Sequence, residues 1–476
     1  MNKFLIRGLG FFNDAYDLFV MNIINVVLSE QYGSHVYTSS LKSAVSAAAL
    51  IGAVVGQLLF GFLGDVFGRK TNMIFTCVLL IFGGILCTVA YGGSGHNTLW
   101  FLVIARGILG VGIGGEYPLA ASSTAEDSSS VQERNKRVAM TFSLQGVGQL
   151  TAAILGNLIV QALADHAKGE NSKQRLEIVW RLLFGLGVIP AIIVCYYRFK
   201  AEETEAYKTA EERRVVNSKS NQFVSKTRQF KFILKNYGVG LLGTAGTWFL
   251  FDIVYYAQNL FSASILQVVG VKNASLQVVT AQNAFVALMA LPGYYVAVYF
   301  INRMGRKIMQ LQGFVFMTII FLVLAVWWDD IKKHAVLFII LYGLALFFCN
   351  FGPNTATFVM PTEMFPTPIR STCHGISAAC GKAGASIGSF GFVKWVEHKG
   401  FGYAGTFYTF AAISLVSIPL TYFCMFDNEQ GMEEMDAEFY RKLNGADELT
   451  RDSFTQVADV RDLEKNGVYK KAESPM

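Results

Sequence analysis

Charge is the first scarcity. Asp, Glu, Lys and Arg make up 16% of the 476 residues, whereas hydrophobic residues make up 53%. A soluble chain carries about 25% charged residues, so a water-soluble globule is excluded and a helical membrane protein is expected. Histidine and cysteine are sparse too, at six and seven. Cys77, Cys87, Cys195, Cys349, Cys373, Cys380 and Cys424 all fall in apolar runs, none at metal-ligand spacing with histidine. They are expected to be small core side chains, not a disulfide framework or a metal site. The chain also lacks a phosphate-binding G-x-x-x-x-G-K-[ST] loop and an H-E-x-x-H zinc motif. An enzyme is therefore not expected, nor a cofactor beyond protons. The net charge of +6 does not argue for nucleic acid, because the basic residues sit mostly in short loops. Lys3 and Arg7 lead straight into a full-length apolar run without a small-residue cleavage site, unlike a secretory leader.

What is abundant is long apolar runs. Twelve candidate spans fall near 5–29, 41–62, 71–93, 99–123, 138–162, 178–199, 237–262, 279–301, 308–328, 335–360, 373–396 and 403–425. Loops after even-numbered spans are basic: Arg69 and Lys70, then Arg134, Lys136 and Arg137, then Arg303, Arg306 and Lys307, then Arg370. The positive-inside rule puts these loops and both termini in the cytoplasm. The sequon Asn273-Ala274-Ser275 then falls on the outer side. Residues 200–236 form a charged central linker and 426–476 a charged tail. Gly61 to Lys70, between spans 2 and 3, is echoed by Asn302 to Lys307 between spans 8 and 9. The expected fold is an all-α membrane protein of twelve transmembrane helices in two pseudo-symmetric six-helix halves, 1–199 and 237–425. A rocking transporter has this form, with its substrate site at the midplane.

Several polar residues lie where a membrane helix rarely tolerates them. Trp248, Asp252 and Tyr256 are spaced i, i+4, i+8, on one face of span 7. Lys382, flanked by Gly381, Ala383 and Gly384, is the basic residue well inside span 11 and the obvious partner of Asp252. Asp14 and Asp17 share a face of span 1 and are close enough to hold a proton between them. Arg106 in span 4 is expected to neutralise one of these acids, with Glu116 on roughly its own side three turns on. Gly110, Gly112 and Gly115 match G-x-G-x-x-G, but no strand precedes them, so they read as helix-packing glycines. Gln145 and Gln149 are one turn apart in span 5, and Gly352-Pro353 breaks span 10 before Asn354. Glu363 and Arg370 are expected to form a cytoplasmic ion pair, and Asp65 to pair with Arg69 or Lys70.

The loop Gly61 to Lys70 resembles the gate loop of the major facilitator superfamily. Gly115-Glu116-Tyr117-Pro118, Asn350 to Thr355 and Ser371 to Ala379 further resemble that superfamily's phosphate:H⁺ symporters of fungi and plants. The resemblance runs from span 1 through span 12. It implies a phosphate site of Tyr117, Gln145, Trp248, Asp252, Tyr256, Asn354 and Lys382. It also implies proton handling by Asp14, Asp17, Glu116 and Arg106, and gating by Asp65, Arg69 and Lys70; by their own placement Asp252 joins the proton-handling groups and Glu363 and Arg370 the gate. One departure is Glu116, where the family usually has aspartate and glycerophosphodiester carriers often have glutamate.

The function expected from these residues is proton-coupled import of inorganic phosphate across the plasma membrane by a monomer surrounded by lipid. Phosphate is rich in acceptors, and Tyr117, Gln145, Trp248, Tyr256 and Asn354 all donate. Two rivals stand beside it: a proton-coupled carrier of glycerophosphodiesters, another organic anion or a sugar, and a membrane nutrient sensor.

Overall fold

In a computed structural model of the chain, residues 3–164, 170–205, 207–209, 212, 226–269 and 275–443 are described. Twelve long helices follow in order: α1 Lys3–Val36, α2 Ser39–Phe67, α3 Arg69–Thr88, α4 Gly95–Glu126, α5 Val131–Leu163 and α6 Glu170–Phe199. The second set is α7 Lys226–Leu266, α8 Leu276–Phe300, α9 Arg306–Val326, α10 Ala335–Met364, α11 Thr367–Glu397 and α12 Gly402–Cys424. A short α13, Met432–Leu443, follows. The sequon at Asn273, part of the central linker and the tail from 444 onward lie outside the described residues. α7 begins inside the 200–236 stretch expected to be linker.

Among the described residues, eleven helices are long and apolar enough to cross a membrane. The twelfth, α11, has the length, 31 residues, but not the apolarity. Its polar side chains Arg370, His374, Ser377 and Lys382 are all buried against other helices, so none of them meets lipid. The lipid-facing surface is elsewhere. Ile51, Val55, Leu58 and Phe62 line the exposed side of α2, and Phe75, Val78 and Phe82 that of α3.

Local chemistry sets the helix ends. Thr38, Ser94, Ser130 and Ser275 each cap a helix by accepting a backbone N–H three residues on. The α4 glycines are packing surfaces, as expected. A side chain at Gly110 would strike Ala49 of α2, one at Gly112 would meet Leu80 of α3, and one at Gly115 would strike Phe60 and Thr76. Pro353 lacks an N–H, and α10 responds with a π-helical stretch at Asn350–Asn354. The carbonyls this frees find partners: Thr355 Oγ1 donates to Asn350 O (2.8 Å) and Gln312 Nε2 to Phe351 O (3.0 Å).

The two halves repeat one design at the end of the bundle that carries the basic loops. Gly68 and Gly305 turn the chain with φ +87° and +81°, the left-handed region that favours glycine. Each opens a helix whose first amides donate to a carboxylate from beyond the last helix of the same half. Lys70 N donates to Glu203 (3.0 Å), and Arg306 N and Lys307 N to Asp427 (3.0 Å each). The arginine after each glycine then grips the acid ending the fourth helix of its half: Arg69–Glu126 at 2.6 Å and Arg306–Glu363 at 2.7 Å.

α13 docks beneath the second half. Met435 and Phe439 are buried, and Asp436 accepts from the Thr367 amide at the start of α11 (2.7 Å). Burial raises the Asp436 carboxyl above its ordinary range, with Arg370 and the Thr367 amide opposing. The docked form therefore binds protons more readily than the undocked form, and docking tightens as pH falls through the raised value. The protection factor over 432–443, exchange corrected for its intrinsic pH dependence, is expected to rise on mild acidification, and Asp436→Asn to remove that rise. Equal pH dependence in both proteins would show that another group is responsible.

Candidate functional site

α7 and α11 lie side by side at the centre of the bundle, and the Lys382 ammonium donates to Asp252 Oδ2 at 2.9 Å. Both residues are 1% exposed, which leaves no open aqueous route to the pair. Three aromatic rings surround the ammonium: Tyr256 at 4.4 Å, Tyr117 at 4.8 Å and Trp248 at 6.0 Å from ring centroid to Nζ. Rings at this range stabilise a buried cation through their negative faces. Tyr117 comes from α4, so the cage is closed by both halves of the protein.

A chain of neutral donors continues from the cage. Tyr117 Oη donates to Gln145 Oε1 (3.0 Å), and Gln145 Nε2 donates to Tyr294 Oη (3.2 Å). Asn354 Nδ2 also donates to Tyr294 Oη (2.8 Å), and Tyr255 Oη shares a hydrogen bond with it (3.1 Å). The structure thus brings together Tyr117, Gln145, Trp248, Asp252, Tyr256, Asn354 and Lys382. It adds Tyr294 and Tyr255, which the sequence reading missed. A tyrosine two residues after Pro292, in a span that already had to pass through protein, was the available signal for Tyr294.

The acids of the first half are arranged differently from expectation. Glu116 is gripped at both oxygens by Arg198, from the last turn of α6. Arg106 was expected to serve the span 1 acids directly. It lies within electrostatic reach of the Asp17 carboxylate, as expected, but its hydrogen bonds go to the backbone oxygens of Val45 (3.0 Å) and Asp17 (3.4 Å). Those carbonyls take its Nε and one terminal nitrogen, while Asp17 accepts from Asn13 Nδ2 (3.0 Å). Asp14 is 1% exposed, and among the described residues neither of its carboxyl oxygens has a hydrogen-bond partner. Asp14 nonetheless lies within electrostatic reach of Glu116, Arg198 and Asp17.

At the end of the bundle that carries the basic loops, the expected Glu363–Arg370 pair does not form. Glu363 belongs to Arg306, with Arg134 of α5 at 4.0 Å. Arg370 approaches Glu126 of α4 at 3.9 Å. The pairs are exchanged between halves because the N-terminus of α11 packs on α2 and α4, and that of α5 packs beside α10. Each half's acid therefore holds one arginine of its own and one from the other half. Asp65 pairs with Arg69 (3.1 Å) and accepts from the amide and hydroxyl of Thr372 (2.7 Å each), also across the halves. Lys70 takes part through its backbone amide rather than its ammonium.

The opposite end is joined mainly by neutral polar side chains, with Lys42 of α2 also donating to Ser264 of α7 (3.2 Å). Asn22 donates to Ser262 (2.6 Å) and to Asn283 (2.8 Å), and Asn25 donates to Ser46 (3.0 Å). With both ends joined, the Lys382 cage is occluded. An occluded, ion-paired polar centre between two halves, closed by separate contacts at each end, has the parts needed for alternating access.

Comparisons with known proteins agree with this geometry. Residues 4–439 match the family described as sugar (and other) transporter. A probable inorganic phosphate transporter 1-6 of Arabidopsis thaliana is 36% identical over 483 residues, covering 91% of this chain and 93% of the relative. Low affinity inorganic phosphate transporter 3 of Petunia hybrida is 36% identical, covering 82% of this chain and 81% of its own. Among solved structures, the proton:xylose symporter XylE superposes with a TM-score of 0.73 at 19% identity, covering 91% of this chain and 98% of that one. FucP in its outward conformation superposes at 0.64 with 12% identity, covering 90% and 99%.

Proposed function

Because the chain belongs to the sugar (and other) transporter family, within it to the inorganic phosphate transporters of the major facilitator superfamily, we propose that it imports inorganic phosphate together with protons. The observation that carries this reading is the caged Lys382–Asp252 pair, a buried positive charge whose partner is a group that takes up a proton. While Asp252 is ionised it competes with an anion for Lys382. Once Asp252 is protonated, Lys382 is free, and phosphate is held by that ammonium and by donors from Tyr117, Gln145, Trp248, Tyr256 and Asn354. Proton loss toward the cytoplasm restores the Lys382–Asp252 pair and expels the anion.

Asp14 is the second proton station in this reading. It is a carboxyl buried without a hydrogen-bond partner, beside Asp17 and the Glu116–Arg198 pair. The exchanged ion pairs at Glu126 and Glu363 act as the cytoplasmic latch, and the amide seal at Asn22, Ser262 and Asn283 as the outer one. Both termini and the basic loops face the cytoplasm, the membrane is the plasma membrane, and the working unit is a monomer of two six-helix halves, 1–199 and 237–425. Glu116, which favoured a glycerophosphodiester substrate, is held at both oxygens by Arg198.

The test is uptake of labelled phosphate into proteoliposomes across an imposed pH gradient, with excess glycerophosphocholine in parallel samples. Uptake driven by inward protons and unaffected by the diester is expected. Uptake blocked by the diester moves the substrate to the glycerophosphodiester class.

A further inference from the structure

Below the Lys382 cage, toward the cytoplasmic latch, lies a second group of polar side chains that the transport cycle described above does not use. His374 is on α11, two turns before Lys382, and is 0% exposed. Its ring meets Trp248 edge-on at 5.6 Å and Phe358 at 5.2 Å. Trp248 thus forms a wall shared by His374 and the Lys382 cage. The His374 Nε2 atom lies 3.1 Å from Phe358 O. A carbonyl only accepts, so Nε2 carries the proton and Nδ1 is a bare acceptor. Among the described residues Nδ1 has no hydrogen-bond partner.

Across the seam, from the other half, stands Gln57 of α2. It is 0% exposed, and neither its amide oxygen nor its amide nitrogen has a partner among the described residues. The backbone of α2 touches α11 at this level: a side chain at Gly375 would come within 2.5 Å of Gln57 O. One turn nearer the latch, the Ser371 hydroxyl is buried and unpartnered as well. Buried polar groups are almost always paired, because leaving one alone is destabilising. Three side chains with unmet hydrogen bonds are thus contributed by both halves along one seam.

We infer that Gln57, His374 and Ser371 form a second phosphate station on the cytoplasmic side of Trp248, occupied as the anion leaves Lys382. The inference rests on the phosphate reading given above. Dihydrogen phosphate suits the station because it carries both kinds of group. Its P–OH donates to His374 Nδ1, and its other oxygens accept from the Gln57 amide and the Ser371 hydroxyl. A phosphodiester monoanion has no P–OH and cannot satisfy Nδ1. The station therefore adds a reason for the protein to pass phosphate and refuse diesters, independent of Glu116.

His374 has two separable contacts, so two conservative variants distinguish a ligand role from a structural one. In His374→Gln the side-chain nitrogen reaches the Nε2 position and keeps the bond to Phe358 O, but no acceptor remains at Nδ1. In His374→Asn the side-chain oxygen sits near Nδ1, and the bond to Phe358 is lost. Uptake of labelled phosphate is measured in proteoliposomes, with dimethyl phosphate as the diester probe. His374→Gln is expected to lower kcat at least about tenfold, the loss of one buried acceptor, with KM for external phosphate close to wild type because Lys382 still binds. His374→Asn is expected to retain most of the wild-type kcat, and Gln57→Leu to behave like His374→Gln. His374→Gln with wild-type kcat overturns the station and leaves His374 a structural residue. Wild-type protein that carries dimethyl phosphate as fast as phosphate overturns it too. Wild-type protein that carries neither anion fails the phosphate reading itself, and the station with it.

Discussion

Lys382→Gln is expected to lower proton-driven phosphate uptake by a factor of about 100 to 1000. Removing one member of a buried ion pair costs about 3–5 kcal/mol, because the other charge is left without a partner, and each 1.4 kcal/mol is about tenfold in rate. In this protein the stranded group is Asp252, 1% exposed and held by Lys382 at 2.9 Å. The variant also loses the charge that attracts the anion. Asp252→Asn separates these two effects. It removes the competing carboxylate but keeps Lys382, so the anion still binds, but there is no proton to take up or lose and hence no coupling to the gradient. Uphill uptake across a pH gradient is expected to fall to background, while exchange of labelled for unlabelled phosphate at equal pH persists. Uphill accumulation by Asp252→Asn at the wild-type level would disprove coupling through this pair.

Arg198→Leu is expected to be the most damaging change outside the cage. Arg198 holds both oxygens of Glu116 and also donates to Met73 O (3.1 Å). Without it, Glu116 is a lone carboxylate at 0% exposure, next to the unpartnered Asp14. The same penalty of about 3–5 kcal/mol applies. The purified variant should melt at a markedly lower temperature and transport little. The double variant Glu116→Gln/Arg198→Leu buries no net charge and should recover much of the stability, which a double-mutant cycle reads directly. If the double variant is no more stable than Arg198→Leu alone, the two residues are not energetically coupled.

The helical membrane fold and much of the centre were legible before any coordinates. Apolar run length reports helices directly, because a span must satisfy its own backbone and face lipid. Trp248, Asp252 and Tyr256 were readable because helical periodicity puts i, i+4 and i+8 on one face, and Lys382 because a lysine inside a span needs a counter-charge. α11 was recognised as a span although its apolarity falls short, since its polar residues read as functional, not as evidence against a helix. The repeat was also informative: Arg306 follows Gly305 as Arg69 follows Gly68. Extended to the acids, that repeat would have paired Glu363 with Arg306 from the sequence alone.

Partner choice was a different matter. Glu363 and Arg370 are close in the chain and of opposite charge, yet they belong to different clusters. α11 leaves the C-terminal half at its N-terminal end to pack on α2 and α4, which carries Arg370 to Glu126. Glu116 and Arg106 share a helix, yet Glu116 is taken by Arg198 from α6. The sequence by itself determined the helices, their order, their faces and the polar residues that had to be buried. It did so because those follow from period and hydropathy, which are local properties. Only the tertiary structure decided which buried charge meets which, and which polar atoms are left waiting. Those depend on how far apart two helices stand and which turn of each lies at the same depth, quantities that no stretch of chain encodes alone.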